Sequence, residues 1–263
     1  MSEYGLAMLV ALTGWWFSTG IILWLVHRPG GWHTAVFAMS TLCMIAAFIG
    51  IPVLASAATP FNVVVSFCLT LVLWGWLEMG YLLGFVTGPR KEPCPEGVST
   101  ARRINLGLRT CLWHELVLLA MIALLIALTW AQVNQVALWT FAVLWLMRWS
   151  SKLNLVLGVR NYNHSWLPSQ LSYVDSYIPR RAMNGLFPWS LAAGVVASFL
   201  LLRAAAGAED LGLMIALTLS GALAALGTLE HLFLMLPLGD ASLWVWAAPD
   251  VAKPPPESSS RSV

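Results

Sequence analysis

The sequence predicts an all-α, polytopic membrane protein, and two observations carry this prediction: its composition and the lengths of its apolar segments. Of the 263 residues, 59% are hydrophobic and only 10% are charged, whereas globular proteins carry about 25% charged residues. A helix of about 20 apolar residues is long enough to cross a bilayer. Seven segments reach that length, at about 5–26, 34–56, 61–86, 111–131, 135–157, 187–206 and 211–236.

The first three spans are joined by short connections. The loop between the second and third spans is the short segment 57–59, which the predicted orientation places outside. The third span is rich in glycine at intervals of four or five residues, a spacing that favours close helix–helix packing. These glycines are Gly75, Gly80, Gly84 and Gly88.

Most of the charged and amide residues that interrupt the apolar segments lie in the last four spans. A turn-rich and then basic connection, 87–110, leads into the fourth span, and the fifth span contains Arg148, Lys152 and Asn154 near its C-terminal end. A second long connection, 158–186, precedes the sixth span. We predict one seven-helix transmembrane domain over residues 1–247. The remaining residues, 248–263, contain four prolines and four serines and are predicted to form a disordered cytoplasmic tail.

The distribution of basic residues predicts the orientation. With the N-terminus outside and the C-terminus in the cytoplasm, 13 of the 14 Lys and Arg residues fall on the cytoplasmic side, and only Arg203 falls outside. Lys and Arg concentrate in cytoplasmic loops of membrane proteins. The net charge is only +2, and the basic residues form no stripe. We therefore expect the lipid bilayer as a partner and no nucleic acid.

Ionisable and amide side chains interrupt four of the spans at a similar depth. Charged side chains within a bilayer are costly and usually pair or mark a functional site. The topology places this set in the inner leaflet, and we call it the polar layer. Its members are Glu78, His114, Glu115, Arg148, Lys152, Asn154, Glu230 and His231.

Three interpretations of the polar layer remain open from the residues alone. The first is a structural ion network, in which the three glutamates neutralise Arg148 and Lys152. The second is a metal site formed by His114, Glu115, Glu230 and His231. Adjacent helical residues point about 100° apart, so neither His–Glu pair can aim both ligands well at one ion. The third is a pigment site in which His114 or His231 is the axial ligand of a tetrapyrrole metal.

Several blocks of the sequence resemble the photosynthetic complex assembly protein 2 family (PuhE) of purple phototrophic bacteria. The resemblance extends from about residue 60 to 247, and the segment from Met147 to Val159 is its most specific part. Ser151 stands where the family pattern has Ala. The other blocks are Trp74–Glu78, Gly88–Arg90, Trp113–Glu115, Met183–Pro188 and Leu229–His231.

The resemblance implies a role in assembling the photosynthetic reaction centre and its light-harvesting complex in the bacterial cytoplasmic (intracytoplasmic) membrane. It implies reaction-centre or light-harvesting subunits as partners, and handling of bacteriochlorophyll or of nascent subunits as the mechanism. It implies no known reaction. The alternative from another class is a membrane-embedded, metal-dependent enzyme that acts on a tetrapyrrole or isoprenoid substrate. Bacteriochlorophyll and a metal ion are the corresponding cofactor candidates.

Overall fold

The chain folds into helices, seen in a computed structural model that describes residues 2–162, 167–236, 243–244 and 246–247. The predicted disordered tail, 248–263, lies outside these residues and stays a prediction, as does the domain boundary at 247. Within those ranges, two 3-10 helices, Gly30–Trp32 and Ser169–Tyr177, supplement the α-helices. The α-helices of the described part are α1 (Glu3–Val26), α2 (His33–Ala55), α3 (Pro60–Leu82), α4 (Thr100–Thr110), α5 (Leu112–Thr129), α6 (Val136–Leu157), α7 (Phe187–Ala206) and α8 (Leu211–Met235).

Six helices of the described part are long and apolar enough to cross a membrane: α1, α2, α3, α5, α7 and α8. The protein is therefore a multi-pass, all-helical membrane protein, as the sequence predicts. The remaining long helix, α6, has 22 residues but is not in this group. Its C-terminal half contains Arg148, Ser150, Ser151, Lys152 and Asn154, which lower its apolarity.

Local sequence explains where the helices begin and end. The Thr59 side chain accepts a hydrogen bond from the backbone N–H of Asn62, and Pro60 follows as the first helical residue of α3. The Asp210 carboxylate caps α8 in the same way. The predicted third span extends to residue 86, but α3 ends at Leu82. Gly84 adopts a φ of 81°, a left-handed conformation that ends a helix at little cost when the residue is glycine.

Helices α3 and α8 form the centre of the bundle, and α2 and α7 lie at its periphery. Small residues permit close approach between the central and outer helices. Gly194 of α7, for example, lies directly against the side chain of Thr228 in α8. An apolar core joins α1 to α3 and α8, with Phe67 and Leu219 fully buried in it. The central position of α3 and α8 places their polar residues between helices.

The ends of α3, α6 and α8 lie together at one end of the bundle. The Gln170 side-chain amide donates a hydrogen bond of 2.9 Å to the Leu82 carbonyl at the end of α3. Just after α6, the Arg160 backbone N–H donates to the Leu234 carbonyl at the end of α8. At the other end of the bundle, the Asn134 backbone N–H donates to the Ala55 carbonyl of α2. The described parts of the second long connection, 158–162 and 167–186, therefore pack beneath the residues of the polar layer.

Candidate functional site

Two ion pairs join α6 to its neighbours in the polar layer. Arg148 Nη2 lies 2.8 Å from Glu78 Oε2 of α3. One turn later, the Lys152 ammonium pairs with Glu115 of α5. Each cation therefore has its own carboxylate, and the pairing agrees with the ion network proposed from the sequence. Together the two pairs tie three helices to one another.

Tyr81 lies beside both cations. The Arg148 guanidinium carbon is 6.0 Å and the Lys152 nitrogen 5.7 Å from the centre of the Tyr81 ring. At such distances the electron-rich face of an aromatic ring attracts a cation. Tyr81 follows Glu78 by three residues, so the two side chains project from the same side of α3. One face of α3 thus supplies both a carboxylate and a ring to the cations of α6.

The buried imidazole of His231 connects α8 to α6. Its Nδ1 is 2.7 Å from the Gly227 carbonyl, and its Nε2 is 2.9 Å from Ser150 Oγ. The Asn154 amide continues this network, because it donates to the Ser150 carbonyl and to Ser190 Oγ of α7, both over 2.9 Å. His231 and Asn154 therefore hold helices together by hydrogen bonds.

Asn184, which the polar layer as predicted did not include, fastens the end of α6 to the start of α7. Its amide donates to the carbonyls of Asn154 (3.2 Å) and Gly158 (2.8 Å). Its side-chain oxygen accepts from the backbone N–H groups of Leu186 and Phe187, each over 3.0 Å. One side chain therefore satisfies terminal groups of two helices.

His114 is fully buried, and neither of its ring nitrogens has a hydrogen-bond partner within the part of the chain that the structure describes. Its ring centre lies 5.1 Å from that of Tyr81. Its backbone N–H donates to the Thr87 carbonyl over 3.0 Å. The ring is sealed by its neighbours, so a pigment could not reach it without separating α3 from α5. It therefore does not fit an axial ligand of a tetrapyrrole, and neither does His231, whose two nitrogens are both engaged.

The four residues proposed as metal ligands do not converge. His231 bonds to Gly227 and Ser150, Glu115 pairs with Lys152, and Glu230 accepts a hydrogen bond from Trp15 Nε1 over 2.6 Å. Across the described ranges, no group of three or more His, Cys, Asp or Glu side chains could hold a metal ion. The geometry does not support the metal interpretation.

A cavity of about 430 Å³ lies beside the ion pairs, enclosed by α1, α3, α4, α6, α8 and the 158–186 connection. Its charged lining residues are Glu78, Arg148, Lys152 and Glu230. Its aromatic lining residues are Trp15, Trp74, Tyr81, Trp149, Tyr162 and Tyr177. Burial, together with the nearby charge of Asp175, raises the pKa of the Tyr162 hydroxyl above its ordinary value.

The sequence predictions missed most of the cavity wall. Tyr81 could have been found, because it lies one turn from Glu78 on the same face of α3. Trp15 and Tyr177 could not, since they reach the cavity from α1 and from an irregular connection. Tyr177 is buried there, and its hydroxyl accepts a 2.6 Å hydrogen bond from Arg90 Nε.

The fold and this site define a multi-pass membrane protein with paired charges and an aromatic cavity between its helices. The chain belongs to the family described as Protein of unknown function (DUF3623), which matches residues 1–255. It is 38% identical over 253 residues to a Rhodobacter capsulatus protein described as "Uncharacterized 30.4 kDa protein in puhA 5'region". That match covers 94% of this chain and 92% of the relative. No solved structure matches the chain.

Proposed function

We propose that this protein is an assembly factor for the bacterial photosynthetic reaction centre and its light-harvesting complex, acting in the cytoplasmic (intracytoplasmic) membrane. The observation that carries the proposal is the position of the 38% identical relative in the 5′ region of puhA. The family that the sequence resembles shares that Puh designation. The multi-pass fold of this chain is consistent with an action on subunits that are themselves embedded in the membrane.

The proposed mechanism is stabilisation of a nascent subunit or a pigment within the membrane. The ion pairs Arg148–Glu78 and Lys152–Glu115 hold α3, α5 and α6 in fixed positions, so the bundle offers a rigid surface to an incoming helix. Neither His114 nor His231 is arranged to ligate a pigment metal. A pigment would therefore be held by packing against the outer face of the bundle.

The test of this function is deletion of the gene in the phototrophic host that carries it. We expect the near-infrared absorption of assembled complexes in purified membranes to fall several-fold, at unchanged synthesis of their subunits. The wild-type chain and the exposed-site variant Lys91→Met should restore the absorption. If the deletion strain absorbs as strongly as the wild type, both when grown in the light and when grown in the dark, the proposed assembly role is wrong.

A metal-dependent enzyme acting on a tetrapyrrole or isoprenoid is the second candidate. The buried imidazole of His114, whose ring nitrogens lack hydrogen bonds among the described residues, is the observation in its favour, although the other three proposed ligands are engaged with different partners. Metal analysis and an absorption spectrum of the purified protein distinguish the candidates. Stoichiometric iron or zinc supports the enzyme, and a protein without either supports the assembly factor.

We further propose that α6 is a seventh span, with the N-terminus outside and the C-terminus in the cytoplasm. At 1.5 Å per residue the 22 residues of α6 extend about 33 Å, enough for a hydrocarbon core of about 30 Å. Its cations are neutralised by Glu78 and Glu115, which reduces the cost of placing them in the membrane.

Reporter fusions test this topology. Fusions after Thr59, Gln132 and Ala208 should give a periplasmic signal, because an even number of proposed spans precedes each site and the N-terminus is outside. Fusions after Gly97 and Pro168 should give a cytoplasmic signal. The decisive comparison is Gln132 against Pro168, which differ only by α6. The same signal at both sites would show that α6 does not cross the membrane.

A further inference from the structure

The cavity beside the polar layer has the size and position of a site for a lipid-soluble molecule. Pockets for small molecules measure about 300–1,000 Å³, and this one measures about 430 Å³. Helices α1, α3 and α8, which are long and apolar enough to cross a membrane, and α6, proposed above as a seventh span, supply most of its lining, so a ligand would enter from the lipid phase. A volume in the lower half of the range suits a head of one or two rings better than a complete tetrapyrrole.

The cations of α6 offer hydrogen-bond donors to this cavity. The Arg148 side chain keeps 29% of its area accessible and Lys152 keeps 19%, whereas their partners Glu78 and Glu115 keep 12% and 10%. Both cations line the cavity. A guanidinium has five N–H donors and an ammonium three, and each ion pair accounts for one contact of its cation. The cavity therefore presents N–H donors one helical turn apart, which suit acceptor oxygens.

The charges around the cavity favour an uncharged ligand. Two cations, Arg148 and Lys152, and two carboxylates, Glu78 and Glu230, line it, and Glu115 pairs with Lys152 from outside the lining. No positive charge is in excess, so an anionic head would compete with carboxylates that already hold the cations. A carbonyl oxygen accepts a hydrogen bond without this competition.

The aromatic lining favours a flat ring. Indole and phenol rings from α1, α3 and α6, including Trp15, Trp74 and Trp149, border the space, and aromatic rings pack favourably on one another in stacked or edge-to-face arrangements. The hydroxyl of Tyr162 and the side chains of Ser18 and Thr19 add polar contacts at the wall. An apolar wall with few polar groups is typical of a small-molecule site.

From these observations we propose that the cavity binds an uncharged amphiphile with a flat, carbonyl-bearing ring head, the chemical class of the quinones. The carbonyl oxygens accept hydrogen bonds from Arg148 and Lys152, and the ring packs between the tryptophans of the wall. The site is independent of the assembly role, since it requires only the cavity and its donors.

Titration of the purified protein in lipid nanodiscs with decylubiquinone tests the site. Binding should quench tryptophan fluorescence saturably, because three tryptophans line the cavity. Gly75→Leu should weaken binding at least tenfold. Gly75 lines the cavity, and a Cβ added there meets only Ile22, at an ordinary 3.6 Å. Gly185→Leu is the matched control, because a Cβ added at Gly185 meets nothing within 4 Å and Gly185 lies outside the lining.

Further probes separate the proposed class from others. Decylbenzene, which has the tail and a ring but no carbonyl, should not bind saturably, and oleate should not compete with decylubiquinone. Equal binding of decylbenzene, competition by oleate, or tighter binding of protoporphyrin IX would each overturn the proposal. Thr19→Phe fills the same cavity from α1 and replaces Gly75→Leu if that variant does not fold. Undiminished binding by a folded cavity-filling variant would also overturn it.

Discussion

Lys152→Met should reduce the yield of folded protein more than a substitution at any exposed cation. The change leaves the carboxylate of Glu115 without its counter-ion between helices, and removal of one member of a buried ion pair costs roughly 3–5 kcal/mol. It also removes one of the two cations near the Tyr81 ring. The measurement is the monodisperse fraction after detergent extraction and the midpoint of thermal unfolding, compared at equal expression.

The double variant Lys152→Met with Glu115→Gln should recover part of the lost stability, because it removes both charges of the pair. Lys91→Met is the matched control, since Lys91 is exposed in the connection between α3 and α4, and it should resemble the wild type. If the double variant is no more stable than Lys152→Met alone, the Lys152–Glu115 pair does not act as an energetic unit. The same cycle can be repeated with Arg148 and Glu78.

The sequence best predicted the partners of residues for which depth in the membrane is enough to identify a partner. Apolar length locates the helices, and the cost of charge in hydrocarbon requires the cations to find carboxylates at their own depth. Arg148 and Lys152 therefore pair with Glu78 and Glu115 as expected. Apolar length alone misplaced the end of the third span at residue 86, because Gly84 ends α3 at Leu82, before the apolar run ends.

The direction in which a side chain points is not determined by depth. Glu115 points to Lys152 whereas its neighbour His114 packs on Tyr81. Glu230 likewise bonds to Trp15, and its neighbour His231 bonds to Ser150. Adjacent helical residues diverge by about 100°, so each His–Glu pair serves two different neighbours. This divergence separates the four residues proposed as metal ligands.

The path of an irregular connection is also beyond what periodicity and composition can predict. Asn184 and Tyr177 lie in the 158–186 connection, which has no repeating apolar pattern. Their roles depend on backbone groups far away in sequence: Asn184 reaches the end of α6, and the Tyr177 hydroxyl donates to the Glu92 carbonyl. The cavity wall that Tyr177 completes therefore becomes visible only in the folded chain.

Gly88 lies where the first long connection crosses the junction of α4 and α5. A Cβ at this position would collide with the Arg109 carbonyl oxygen and would lie 2.6 Å from the Thr110 carbonyl carbon and 2.8 Å from the Cys111 nitrogen. All three are backbone atoms, so no side-chain rotation relieves the overlap. The adjoining Thr87 carbonyl accepts the hydrogen bond from the His114 backbone N–H. Displacement of this segment would therefore shift the start of α5 and, with it, Glu115.

Gly88→Ala should consequently destabilise the protein by about 1–3 kcal/mol or more, the usual cost of overpacking, and lower the thermal midpoint. Gly107→Ala is the matched control within α4, because its Cβ meets Tyr177 and Val156 at ordinary distances of 3.6 and 3.8 Å; alanine should be neutral or slightly stabilising there. The Gly88→Ala loss should also shrink in the Lys152→Met, Glu115→Gln background, since neighbouring effects do not add. Equal thermal midpoints for Gly88→Ala and Gly107→Ala would show that this backbone crossing does not position α5.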